Sequence, residues 1–183
     1  MVGIILLVIL VIVVFYVIGL YNSLIRLKNQ VGSGWSQIDV QLKRRQDLIP
    51  NLIETCKGYM KHEKETLENI TNARSNAMGA DSISDKSSAE GALSGSISKF
   101  MLVVENYPDL KANANFISLQ EELSSTENKI AFSRQNYNDQ VLFFNNKIEM
   151  FPSNIIAGSF NFKQADFFEI EDKTERDVPK VKF

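Results

Sequence analysis

Residues 2–20, VGIILLVILVIVVFYVIGL, carry no charge, and the first charged side chain is Arg26. Nineteen residues at about 1.5 Å each span roughly 28 Å, close to the hydrocarbon thickness of a bilayer. Ile and Val are poor helix formers in water, but in lipid the backbone must satisfy its own hydrogen bonds, so helix is forced. Tyr16 and Tyr21 sit near the far end, where an aromatic belt would lie. A cleaved signal would want Lys or Arg before the run, a shorter run and a small-residue cleavage site. "IGLYNS" is a weak cleavage site, and the cysteine of a lipobox is missing, since Cys56 is the chain's one cysteine. The pattern predicts an uncleaved anchor over residues 1–21. Arg26 and Lys28, then Lys43, Arg44 and Arg45, all follow the run, which by the positive-inside rule puts the domain in the cytoplasm and a short N-terminus outside.

Beyond the anchor the spacing is helical, and no alternation suggests a strand before residue 155. Val31, Trp35, Ile38, Leu42, Ile49, Leu52, Cys56 and Tyr59 recur at helical spacing, which predicts a first long helix. Gly32-Ser33-Gly34 weakens it. Pro50 removes one N–H and clashes with the carbonyl of residue 46, at a cost of about 3 kcal/mol in a helix interior. Either the helix kinks at Pro50 and continues, or Asp47 caps a fresh helix with Pro50 in its first turn. The apolar face stays in phase on both sides, which favours the kink. A second stretch, about Lys61 to Met78, presents Leu67, Ile70, Ala73 and Ala77. Residues 79–88 read as a loop, and Ser87-x-x-Glu90 as a capping box opening a third helix with Leu93, Ile97, Phe100, Met101 and Val104.

The fourth helix has the strongest pattern. Phe116, Leu123, Ile130, Tyr137, Phe144 and Phe151 recur every seven residues, a heptad seam that implies a long helix-to-helix contact. Its companion positions, Leu119, Thr126, Ser133 and Gln140, are mostly small or polar and either let a neighbouring helix come close or leave room for a polar layer. Pro152 ends the helix. The segment FPSNIIAGSFNFKQADFFEI then carries Phe160, Phe162, Phe167 and Phe168, which need burial across the bundle or in a partner. The prediction is an all-α chain: anchor 1–21, an antiparallel four-helix-type bundle over 22–151, and a Phe-rich, then charged, tail over 152–183.

Composition narrows the chemistry. With 20 basic and 22 acidic residues the net charge is −2, which gives no case for a nucleic-acid partner. His62 is the one histidine, and a zinc helix would need a second at position 66, where Thr66 stands. Cys56 has no other histidine to serve as base and reads as a small core hydrophobe. Neither phosphate-loop nor dinucleotide-binding glycine motifs occur. No catalytic residue, cofactor, metal site or small-molecule substrate is expected. On a helix, Arg45 falls in the apolar stripe between Leu42 and Ile49, where an unpaired charge is very costly, and Glu127 is a natural partner for it.

Three stretches, QLKRRQDLIPNLIETCKGYMKHE, TENKIAFSRQNYND and FPSNIIAGSFNF with FFEI, occur in this order behind the apolar run. They resemble the LemA family of bacterial membrane proteins, from about residue 21 to the C-terminal ERDVPKVKF. The resemblance implies a helical bundle on a single span and no established enzyme activity. The resemblance also implies gene neighbours that are often membrane zinc proteases or other membrane proteins, which suggests partnership only. The motif positions here include Arg44, Arg45, Asp47, Pro50, Asn51, Glu63, Glu127, Arg134, Tyr137 and Asn138. Of these, Arg45, Asp47, Glu127, Arg134 and Asn138 are expected to form a structural polar network, with Pro50 as a helix kink. The reading is a scaffold or adaptor in the bacterial cell membrane, held in the bilayer by residues 2–20 and self-associating. It would meet a partner through Phe160, Phe162, Phe167 and Phe168 or an exposed helix face. The alternatives are a regulator or substrate-presenting partner of a membrane zinc protease and, remotely, an enzyme that depends on His62 or Cys56.

Overall fold

The apolar run does not stop at the membrane length. In a computed structural model, which describes residues 1–169, it forms the head of one continuous helix, α1 (Val2–Lys57). Its most apolar window has mean hydropathy 3.3, and none of that window is buried by the rest of the chain. The helix is long and apolar enough to cross a membrane. From Leu24 onward the same helix turns one face inward, with Ile38, Leu42, Ile49, Leu52 and Cys56 buried.

Pro50 lies inside α1, so Asp47 caps no fresh helix. The ring denies the Gln46 carbonyl its usual N–H, four residues on. Arg74 supplies the replacement, its Nε donating to the Gln46 oxygen at 2.6 Å. The helix therefore continues past Pro50 with the orphaned acceptor satisfied from α2 (Lys64–Met78). Tyr59, expected on the apolar face, is exposed, because α1 has ended and a turn at 58–59 breaks the phase; Met60 is buried in its place.

The expected capping box is displaced. Helix α3 (Ile83–Val104) begins earlier, with Ser82 as N-cap accepting from the Asp85 N–H at 3.0 Å. Ser87 and Glu90 are buried within the helix. A short α4 (Pro108–Lys111) follows, and Asn113 then caps α5 (Ala114–Glu149) by accepting from the N–H groups of Asn115 and Phe116. Five of the six seam residues, Phe116 to Phe144, are buried. The sixth, Phe151, is 78% exposed, because α5 ends at Glu149 and the seven-residue phase ends with it. A short α6 (Ser153–Ser159) comes next.

The chain forms two compact units. One is Met1–Ile38 with Ser133–Phe167; the other is Asp39–Phe132 with Phe168 and Glu169 among the described residues. In the second unit, α1, α2, α3, α4 and α5 share one core that includes Ile49, Leu52, Ile70, Leu93, Phe100, Leu110 and Phe116. There α1 and α5 run antiparallel: Arg45 meets Glu127, while Tyr59, just past the end of α1, meets Asn113, just before the start of α5. In the first unit, α1 and α5 meet closely at Gly34. A Cβ there would stand 3.3 Å from the Tyr137 backbone, a tight contact that glycine avoids. The expected tail from residue 170 on lies outside the described residues.

Candidate functional site

The helical phase of α1 fixes the site. Arg45 stands between Leu42 and Ile49 on the buried face, and its side chain is fully buried. Its guanidinium forms ion pairs with Glu127 of α5 through Nη1 and with Glu90 of α3 through Nη2. Nη1 also donates to Ser94 Oγ at 2.6 Å, and Nη2 to the Glu90 carbonyl at 3.2 Å. The second Glu90 oxygen accepts from the Gln46 amide at 2.5 Å. Glu90 is fully buried, whereas the Glu127 side chain keeps 39% of its surface exposed. One cation thus faces two carboxylates, one held dry and one partly in water.

This arrangement pairs the buried charge through both Nη atoms, a planar two-sided contact that suits guanidinium and not ammonium, while the buried Nε has no hydrogen-bond partner among the described residues. The cluster's bonds run to its own side chains and backbone, so it acts as a bolt joining α1, α3 and α5. Removing one partner of a buried pair costs about 3–5 kcal/mol, because the other charge is left stranded.

Glu90, Ser94, Gln46 and Arg74 were missed in the sequence reading. The signal for Glu90 was present: Glu90, Leu93, Ile97, Phe100 and Val104 follow one another at spacings of three and four, which puts a carboxylate in an apolar stripe. Of the predicted network, Arg45 and Glu127 come together. Asp47 is exposed and borders a shallow cavity with Asp39, Lys43 and Lys86. Arg134 and Asn138 belong to the first unit. Arg44 pairs with Glu122 at the surface.

The tail phenylalanines divide. Phe168 is fully buried in its own chain. Phe162 is half-buried, edge-on to Tyr21 and Phe144. Phe160 lies 4.7 Å from the Tyr21 ring yet stays largely exposed, whereas Phe167 is 37% exposed. The backbone here is held down by side chains. Asn145 Nδ2 donates to the Ala165 carbonyl at 3.0 Å, and Asn145 Oδ1 accepts the Ala165 N–H at 2.9 Å. The Tyr137 hydroxyl donates to the Asp166 carbonyl at 2.7 Å.

Three groups are shifted toward their neutral forms. Burial pushes the Cys56 thiol up to about 12. Burial, helped by the Asp166 charge, takes the Tyr137 hydroxyl to about 12. The Tyr107 hydroxyl is raised by its hydrogen bond to the Glu63 carboxylate, 2.9 Å away. A thiol so shifted is a poor nucleophile at neutral pH. His62 lies exposed in the turn before α2. Among the described residues, no group of three His, Cys, Asp or Glu is arranged to hold a metal ion.

Comparison with known proteins gives a consistent picture. Residues 34–183 match the model of the LemA family. The chain is 31% identical to protein LemA of Metamycoplasma hominis over 90% of its own length and 75% of that protein's. It is 22% identical to magnetosome protein MamQ 2 of Paramagnetospirillum magneticum, over 88% of its own length and 68% of that protein's. Magnetosome protein MamQ of Magnetospirillum gryphiswaldense is 20% identical over the same shares.

Proposed function

The chain belongs to the LemA family, and from that premise we propose that it is a single-pass membrane protein whose helical domain works as a scaffold through protein–protein contact, including contact with its own copies. In this reading residues 2–20 are the span, and the cations that follow it support a cytoplasmic domain by the positive-inside rule. The magnetosome names of two relatives are compatible with a role in an assembly.

The observation that carries the scaffold reading is large apolar surface left on otherwise polar helix faces. Phe132 on α5 is 75% exposed, amid exposed Ser125, Asn128 and Lys129. Leu102 on α3 is 71% exposed, beside exposed Ser98, Lys99 and Glu105. Folding has no use for either side chain there, whereas aromatic and aliphatic anchors are what protein interfaces draw on. The polar centre, by contrast, is spent on holding helices together. The test is site-specific photo-crosslinking of the full chain in its native membrane, from position 132 with Leu102→Ser as the control background and from position 102 with Phe132→Ser as the control background. A product of two copies that disappears in a Leu102→Ser or Phe132→Ser background supports the reading. A chain that stays monomeric and yields no protein adduct at either position contradicts it.

A further inference from the structure

We propose that the corner made by the end of α5, α6 and Phe160 lies in the interfacial layer of the membrane, against anionic phospholipid, as a second lipid contact beside the span. This rests on the anchor reading above. Met150, Phe151, Ile155 and Phe160 are all exposed within eleven residues, with Ile155 57% exposed. In α6, Ser153 and Ala157 turn inward one helical turn apart, which leaves Ile155 between them outward, and Phe151, just before the helix, is exposed as well. A water-facing corner has no reason to be built this way, and contiguous exposed apolar surface marks a contact site.

The occupant follows from position and charge. The Phe160 ring packs at a tilt on Tyr21, and Tyr21 directly follows the apolar run of residues 2–20. The corner is therefore tied to α1 at the level where a span of residues 2–20 leaves the hydrocarbon, the level that aromatic side chains favour. Beside it, Tyr21, Lys28, Phe144, Phe162 and Lys163 line a cavity of about 550 Å³, which pairs aromatic walls with two cations. Met1–Ile38 contains no Asp or Glu, and the first unit holds five Lys or Arg against three acids in a chain whose net charge is −2. Apolar side chains flanked by lysines suit acyl chains below phosphate headgroups.

The test uses the full chain in phosphatidylglycerol-containing vesicles, with an environment-sensitive fluorophore on Phe151→Cys or Ile155→Cys; buried Cys56 stays unlabelled. Nitroxide lipids report depth. Ile9→Cys marks the span, and Val40→Cys, exposed in the second unit, marks water. The corner probes are expected to shift to the blue and to be quenched by shallow nitroxides, about 5–10 Å into the headgroup and acyl boundary. Corner probes that match Val40→Cys while Ile9→Cys is quenched overturn this inference and leave the anchor standing. A blue-shifted corner probe that no lipid nitroxide quenches means a protein covers the corner, which also overturns it. Failure to quench Ile9→Cys removes the anchor reading and this inference with it.

Discussion

Asp39–Phe132 closes around an ion pair, while the unit of Met1–Ile38 and Ser133–Phe167 closes around aromatic rings. In the first case helices of mixed composition share a core, and a fully buried Arg45 is gripped by Glu90 and Glu127. In the second, α1 and α5 touch over Gly34, Trp35 packs on Tyr137 at 5.7 Å, and Asn145 and Tyr137 hold the returning chain by its backbone. The difference concerns what each device can specify. A charge centre fixes register, since sliding a helix by one residue strands Arg45 at high cost. Rings tolerate small shifts, and bonds to backbone atoms hold a segment without selecting its side chains.

The comparison can be broken most directly at Arg45. Arg45→Ala is expected to destabilise by about 3–5 kcal/mol, read by urea unfolding of the full chain in micelles, with hydrogen exchange rising first in α3. An equal early rise over residues 160–167 would erase the distinction between the units. Asn145→Ala removes two bonds to the Ala165 backbone and should cost about 1–3 kcal/mol, with protection lost over 160–167.

Alkaline pH touches both units. Cys56 and Tyr137 are both raised to about 12, so the unfolded chain ionises first. Their contribution is intact below about 9 and drains away as pH climbs toward 12. Circular dichroism should show stability falling across that window, and Cys56 should resist alkylation at pH 8 until the chain is unfolded. The smallest effect belongs to Arg44→Ala. Its pair with Glu122 is surface-exposed, so the loss should stay within about 0–1 kcal/mol and shrink further in salt.

Legibility followed periodicity. Phe116 to Phe144 could be read because one helix carried the pattern unbroken, and Phe151 failed where the helix ended. The apolar head of α1 was legible from composition alone. Arg45 could be placed from its phase, and Glu127 from the chemistry an arginine there demands. Glu90 was misread because Ser87-x-x-Glu90 satisfies a local capping rule as well as Ser82-x-x-Asp85 does, and only the need for a buried carboxylate opposite Arg45 separates them. Arg74 could not be found locally at all. Pro50 announces an orphaned carbonyl at Gln46, but which distant donor meets it is a tertiary fact.

The most direct measurement is a double-mutant cycle on Arg45→Ala and Glu90→Ala, by urea unfolding of the full chain. The account predicts strong coupling: once either charge is gone, removing the other costs little or restores stability, with an interaction energy at the upper end of about 0.5–3 kcal/mol. Additive losses would show that the two side chains do not depend on each other, and the buried bolt would be wrong.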